Sequence, residues 1–443
     1  MSQLAFLGGP KTVTLDGTDC ERWPIFTQED EGALLEVFRR NAMSGTDITQ
    51  QFEREFASWQ GSRYALAFCN GTASLEAAMY AVGLGRGDEL ICPSITYWAS
   101  CTQAYKFGAT VVFADIDPYT LTIDPKEIEK RITPRTKAIM VVHYFAHPAD
   151  MDPILAIAKK HGLKVIEDVS HATGALYKGR RVGTIGDVAA QSMMSGKSFA
   201  IGEGGMLTTD NREMYERAIQ YAHYERSNDE YITTPSLKPF EGIALGGLKG
   251  RMNQCCAAVG RVQLKYYQQR IEEIQQAMHY FWDLLEGVPG LIAHRPPWEN
   301  STMGGWYCPH GIYDADALGG LSLAKFCAAV EAEGAFCAPG ANRPLHTHNM
   351  FHTYDAFHEG KPTRIVNSAW DVRTGDESLP QANVVNARVF FIPWLKKLDK
   401  PYIEQLAAAY RKVALGCEEL LADPQEFPTS DGKWHTSKIA GAK

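Results

Sequence analysis

Two stretches hold most of the residues whose types and spacing could do chemistry. In Val165-Ile-Glu-Asp-Val-Ser-His-Ala-Thr-Gly174 an aspartate, Asp168, closes a short apolar run. In an open α/β sheet that position is the carboxyl end of a strand, the crevice where ligands bind. In Ser192-Met-Met-Ser-Gly-Lys-Ser-Phe-Ala-Ile-Gly-Glu-Gly-Gly205 a lysine, Lys197, lies in a glycine-rich turn. A lysine in such a setting can lose its proton and reach a carbonyl to form a Schiff base. A pyridoxal cofactor needs that lysine and also an acid against its ring nitrogen, which keeps the ring protonated and electron-withdrawing. Asp168 and Lys197 are candidates for the pair. An ordinary loop lysine and a helix-capping aspartate are the alternatives that residue types alone leave open. Upstream, Asn70-Gly71-Thr72-Ala73-Ser74 sits between a strand and a helix. The free N–H groups of a helix start suit a phosphate, although many α/β proteins carry a capped turn of the same kind.

These residues need a scaffold, and the hydrophobic pattern supplies one. Tyr64 to Cys69, Glu89 to Cys92, Thr110 to Phe113, Ala138 to Val142 and Leu163 to Ile166 are short apolar runs bounded by turn residues. Helical stretches separate some of them, over Ser74 to Val82 and Asp152 to His161. Continuous apolar strands separated by helices imply a mostly parallel sheet covered on both faces, an α/β architecture. Past residue 255 a long amphipathic pattern runs from Val262 to about Leu285, and Glu404 to Leu421 is a closing helix.

A chain of 443 residues exceeds one ordinary domain, and 45% hydrophobic with 22% charged residues is a normal globular balance. The net charge of −8 argues against nucleic acid as a main partner. Ten cysteines lack metal-ligand spacing and read as reduced thiols, so no metal site is expected. The N-terminal stretch lacks the pattern of a signal peptide, and no apolar run is long enough to span a bilayer. A cytoplasmic protein is the expectation, with no membrane partner.

The chain also resembles the DegT/DnrJ family of sugar aminotransferases over roughly Leu7 to Leu421. The blocks that carry the likeness fall in order. They are NGTASLEAAMYAVGLGRGDELICPS (70 to 94), ITYWAS (95 to 100), FADIDPYTLTIDP (113 to 125) and ITPRTKAIMVVHYFAHPADMDPI (132 to 154). IEDVSHATGALYKGRRVGTIGDV (166 to 188), GEGGMLTTD (202 to 210) and RMNQCCAAVGRVQL (251 to 264) follow. The resemblance implies the fold type I of pyridoxal-phosphate (PLP) transferases. That fold has a large three-layer α/β/α domain with a mostly parallel sheet and a smaller C-terminal α+β domain. The expected boundaries are 1–270 for the large domain with an N-terminal arm over 1–30, 271–425 for the small domain, and 426–443 for a flexible tail.

Carried over position by position, the resemblance makes Lys197 the Schiff-base lysine and Asp168 the partner of the pyridinium nitrogen. It sets His171 beside the phenolic oxygen, and Gly71, Thr72 and Ser192 around the phosphate. Tyr97 becomes the aromatic stacked on the ring, with Trp98 as the alternative if the register shifts by one. Lys249 and Arg251 become cofactor-binding residues, in the stretch that in relatives reaches across a homodimer interface toward the partner's cofactor. Two positions depart from the pattern: Lys249 stands where many relatives carry Asn, and Met193 where an aromatic is commoner. His346 lies in a family-like segment that is either substrate-facing or an ordinary loop.

The implied activity is PLP-dependent transfer of an amino group from glutamine or glutamate to the keto group of a sugar or cyclitol. Gly320-Leu-Ser322, Glu331-Ala-Glu-Gly334 and Pro344-Leu-His346 look most like members that aminate inososes, and nucleotide-linked keto-sugars are the competing acceptors. Sugar dehydration is a rival activity, but the relatives that perform it replace the lysine with histidine. A non-catalytic, PLP-binding regulatory protein is the other rival.

Overall fold

The computed structural model describes residues 3–355, 358 and 379–433. Five strands alternate with helices over the first part of the chain: β1 (Tyr64–Phe68), β2 (Glu89–Pro93), β3 (Thr110–Ala114), β4 (Thr136–Val142) and β5 (Lys164–Asp168). A small hairpin, β6 (Leu176–Tyr177) and β7 (Arg180–Arg181), precedes β8 (Val188–Ser192) and β9 (Gly205–Thr209). The seven-stranded sheet runs in the order β1-β9-β8-β5-β4-β2-β3. Only β9 is antiparallel to its neighbours.

Side-chain alternation explains the layers. On β4, Ala138, Met140 and Val142 join one buried cluster with the helices Gly71–Ala81 and Arg212–Ala222, while Ile139 and Val141 join another with the helix Met151–His161. Each strand therefore loses apolar surface to both faces, at roughly 25 cal/mol per Å². That is why β2 and β3 are buried at every position.

β8 and β9, the strands that flank Lys197, do not follow from the sequence pattern. Val-Ala-Ala-Gln-Ser and Gly-Met-Leu-Thr-Thr are short and carry small or polar residues. Their strand state comes from insertion beside β5 and β1. The long helix begins at Gln254, eight residues before Val262, because Asn253 caps it by accepting the Cys255 N–H. The closing helix ends at Leu415, and a second short helix, Cys417–Ala422, follows Gly416.

The C-terminal part forms a separate antiparallel sheet of β10 (Leu291–Ala293), β11 (His310–Tyr313), β12 (Ala338–Pro339) and β13 (Val389–Phe391), in the order β10-β11-β13-β12. The helices Leu323–Ala332 and Lys400–Leu415 pack beside it through Phe326, Phe390 and Tyr410. The N-terminal arm takes its first contacts here rather than on the seven-stranded sheet. Ala5 N–H and Thr12 N–H donate to the Glu333 carboxylate at 2.7 and 3.1 Å, and Tyr402 donates to Glu21 at 2.7 Å. The described end of the tail is also tied down, since Arg343 N–H donates to Lys433 O and Asn386 Nδ2 to Asp431 O. Among the described residues no helix is long and apolar enough to cross a membrane, and no group of three His, Cys, Asp or Glu could hold a metal ion.

Candidate active site

The carboxyl ends of β5 and β8 meet the start of the helix Gly71–Ala81, and the residues singled out by type converge there. Asp168 is the last residue of β5 and is buried. Ser170 N–H donates to its Oδ1 at 3.0 Å, and the Ser100 hydroxyl donates to its Oδ2 at 2.7 Å. His171 follows one turn later. Its Nδ1 accepts the Phe145 N–H at 3.3 Å, so a neutral His171 carries its proton on Nε2. Burial, with Lys197 and His310 nearby, holds its imidazole well below the usual histidine range. Phe145 (φ 48°) and Ala146 (φ 69°) both adopt left-handed backbone here, a conformation that costs energy and persists only where packing demands it.

Lys197 lies in the connection between β8 and β9. Met193 N–H donates to Gly204 O, Ser195 N–H to Gly202 O, and Lys197 N–H to Met194 O. Gly202 has φ +101°, which a side chain would strain, and this closes the turn. The Trp23 indole from the N-terminal arm donates to Lys197 O at 2.8 Å. The lysine side chain is 9% exposed, and its Nζ stands 4.3 Å from the centre of the Tyr307 ring. Burial pushes its amine down to about 8, against the opposing pull of the Asp168 carboxylate. The Cys308 thiol is itself pushed up to about 12 by burial, so it stays protonated beside the lysine.

The start of the helix Gly71–Ala81 touches the end of β8. A Cβ on Gly71 would come within 2.6 Å of the Ser192 Cβ, and one on Gly205 within 2.3 Å of Asn70 O. Only residues without side chains let these three backbones approach. Asn70 caps the helix by accepting the Ala73 N–H at 2.9 Å. The first N–H groups of a helix have no partner within it, and here they start beside the half-buried Ser192. A buried lysine of lowered pKa, an aspartate at a strand end and a glycine-lined helix start match the carbonyl, the ring nitrogen and the phosphate of PLP. The donor set fits that cofactor.

Tyr97 and Trp98 are both half-buried, with ring centres 4.8 Å apart. Lys249 and Arg251 are held differently. Arg251 bridges Phe68 at the end of β1, while Lys249 is exposed with its Nζ 5.8 Å from the Tyr224 ring centre. His346 is buried, and its Nδ1 shares a hydrogen bond of 2.6 Å with the Ser94 hydroxyl, which ties its loop to the end of β2.

The wall facing Lys197 has no local signal in the sequence. Tyr307 packs against His171 (4.7 Å between ring centres) and stands perpendicular to Trp394. Trp394 donates its indole N–H to Gly305 O at 3.0 Å and packs against Trp23 at 5.4 Å. Trp306 and Cys308, on either side of Tyr307, both have φ of 52°. The segment 301–310 lies more than a hundred residues from Lys197, and no periodicity connects the two. The clustering of Gly304, Gly305, Trp306 and Tyr307 is the only hint that could have drawn notice.

Comparison with known proteins bears on the family and the fold. Residues 24–382 match the family model described as the DegT/DnrJ/EryC1/StrS aminotransferase family. The chain is 31% identical over 414 residues to an L-glutamine:2-deoxy-scyllo-inosose aminotransferase of Micromonospora echinospora, covering 90% of this chain and 96% of that protein. It is 47% identical over 164 residues to a GDP-perosamine synthase of Caulobacter vibrioides, covering 37% of this chain and 44% of the synthase. The solved aminotransferase from Psychrobacter cryohalolentis superposes with a TM-score of 0.77 at 29% identity, over 90% of this chain and 99% of that one. The chain belongs to the DegT/DnrJ/EryC1/StrS aminotransferase family and is a PLP-dependent aminotransferase of the fold type I architecture.

Proposed function

We propose that the protein moves the amino group of glutamine or glutamate onto the keto carbon of an inosose-like cyclitol, with Lys197 as the residue that carries the proton. The observation that carries this reading is the buried Lys197 amine, pushed down to about 8 beside Asp168. An amine with that pKa is partly unprotonated near neutral pH and is a competent base there. PLP, when bound, supplies the carbonyl that receives the amine and the ring that withdraws electrons from the reacting carbon.

The remaining steps belong to the chain. Lys197 Nζ takes the proton from the donor's α-carbon and returns one at the carbon that becomes the new amine centre. Asp168 holds the ring nitrogen in its protonated form, and His171 Nε2–H donates to the phenolic oxygen. Gly71, Thr72 and Ser192 hold the phosphate. Tyr97 would cover the ring face, with Trp98 as the alternative one position on. Tyr307 and Trp394 keep water from the lysine, which holds its pKa down.

The inosose aminotransferase spans nearly the whole chain, and that favours the cyclitol acceptor. The high identity to the perosamine synthase over a shorter stretch favours a nucleotide-linked keto-sugar as the second reading. A homodimer and a cytoplasmic location belong to the same proposal. Support for the dimer is a set of exposed apolar residues, Phe38, Phe240, Ile243 and Leu245, with Ile243 76% exposed. Lys249 and Arg251, a few residues beyond that last group, would then face the neighbouring subunit. Ten free cysteines suit a reducing compartment.

The test is the absorbance of the PLP-loaded protein with glutamine or glutamate, followed by addition of an inosose or a nucleotide-linked keto-sugar. A donor should bleach the yellow band, and the true acceptor should restore it. A protein that binds PLP but is bleached by neither donor would be a binding protein rather than a transaminase.

A further inference from the structure

Behind Asp168 lies a chain of two buried hydroxyls that none of the steps above uses. Ser100 and Thr96 are each 1% exposed and belong to the segment that follows β2. Ser100 Oγ lies 2.7 Å from Asp168 Oδ2, and Thr96 Oγ1 lies 2.8 Å from Ser100 Oγ. A carboxylate oxygen can only accept, so the single hydroxyl proton of Ser100 is committed to Asp168. The oxygen of Ser100 is left as acceptor, and the proton of the second bond must come from Thr96. The direction of the chain is therefore set: Thr96 donates to Ser100, and Ser100 donates to Asp168.

We propose that Thr96 and Ser100 are positioning residues of the transfer reaction, forming a one-way hydroxyl relay that fixes the Asp168 carboxylate in the plane in which it meets the ring nitrogen. The proposal rests on the role assigned to Asp168 above. Ser170 N–H holds Oδ1 from the far side. Two donors on two different oxygens stop rotation about the last side-chain bond, which one donor would permit. Each oxygen keeps a second lone pair for the ring. Without Ser100, only the Ser170 N–H on Oδ1 would hold this buried carboxylate, and it could turn away from its partner. A displacement of about 1 Å in a reacting group can cost about a hundredfold in rate. A hydrogen bond to a charged group contributes roughly tenfold or more to an equilibrium. Thr96 acts one step further back, polarising the Ser100 hydroxyl, and its share is smaller.

The experiment uses the full chain with Ser100→Ala, Thr96→Val, Thr96→Ser and Asp168→Asn. Two quantities are read. The first is the affinity of the apoprotein for PLP, from quenching of its tryptophan fluorescence. The second is the maximal rate at which glutamine or glutamate bleaches the loaded enzyme, with the half-saturating donor concentration. Ser100→Ala should bind PLP about tenfold more weakly and bleach about tenfold more slowly, at a donor half-saturation within twofold of wild type. Thr96→Val keeps the volume and loses the hydroxyl, and should fall by about threefold on both measures. Thr96→Ser, which keeps the hydroxyl, should match wild type.

The relay is overturned if Asp168→Asn is crippled while Ser100→Ala matches wild type on both measures. It is equally overturned if Thr96→Ser is damaged as much as Thr96→Val, because shape and not the hydroxyl would then be responsible. An Asp168→Asn protein that binds PLP and bleaches like wild type would instead remove the role of Asp168, and the relay with it.

Discussion

Lys197 and Lys396 are both buried lysines, and burial pushes each amine down to about 8. Each stands over an aromatic ring at nearly the same distance, 4.3 Å from Tyr307 and 4.4 Å from Trp394. What differs is where the nitrogen goes. Lys396 Nζ donates to Glu21 O at 2.7 Å, and its backbone N–H donates to Cys20 O at 2.7 Å. Its amine is spent on holding the N-terminal arm. Lys197 has its backbone carbonyl held by that same arm, through Trp23, while its Nζ stands over the Tyr307 ring within the field of the Asp168 carboxylate. A lowered pKa is thus no mark of catalysis by itself. It becomes one where the amine is left available beside an acid.

The largest effect expected from this contrast is at Lys197. Lys197→Ala should lower turnover by roughly a thousandfold or more, as for the loss of a catalytic base. Borohydride trapping after mixing with PLP should mark Lys197 in the wild type and leave Lys396 unmarked, as read by peptide mass. Label at Lys396 would break the comparison.

Next comes pH. Each lysine is pushed down to about 8 in the folded chain and has its ordinary value of 10.5 when unfolded. Between those two values the unfolded chain binds more protons, so the apoprotein gains stability as pH rises from about 8 toward 10. The gain is on the order of 2 to 3 kcal/mol per lysine over the whole window. Urea unfolding at pH 7.5 and 9.5 should show this increment shrinking in Lys197→Ala and again in Lys396→Met. An unchanged increment would mean that the two amines are not desolvated.

Lys396→Met itself should stay yellow when loaded and keep turnover within about fivefold of wild type, since its nitrogen serves the arm and not the pocket. Loss of the yellow band would erase the distinction between the two lysines. The smallest effect is expected of Trp23→Phe. It removes one hydrogen bond to Lys197 O and keeps the packing on Trp394, at a cost of about 1 kcal/mol in thermal or urea stability. A loss of PLP binding there would show that the arm does more than hold the turn in place.

The parts of the site that were legible in the sequence are local ones. Asp168 and His171 follow a recognisable strand, Lys197 sits in a glycine-rich turn, and Asn70-Gly71-Thr72 opens a helix. In each case residue type and immediate neighbours carry the signal. The strands flanking Lys197 were not legible, because Gln191, Ser192, Thr208 and Thr209 dilute the apolar pattern and pairing with distant β5 and β1 makes them strands. Neither Tyr307 nor Trp394 nor Ser100 announced itself, since each matters through a contact with a residue tens or hundreds of positions away.

By itself the sequence determined the α/β class, the places of the first five strands along the chain, the candidate lysine and acid, and, through ordered blocks of resemblance, the family. Those properties reside in short windows, where backbone preference and periodicity act between near neighbours. Only the tertiary structure decided which of the two buried lysines of lowered pKa leaves its amine without a hydrogen bond, which hydroxyls hold Asp168, and which tautomer His171 adopts. These depend on desolvation and on hydrogen bonds of about 3 Å between elements far apart in the chain, and no local pattern encodes such distances.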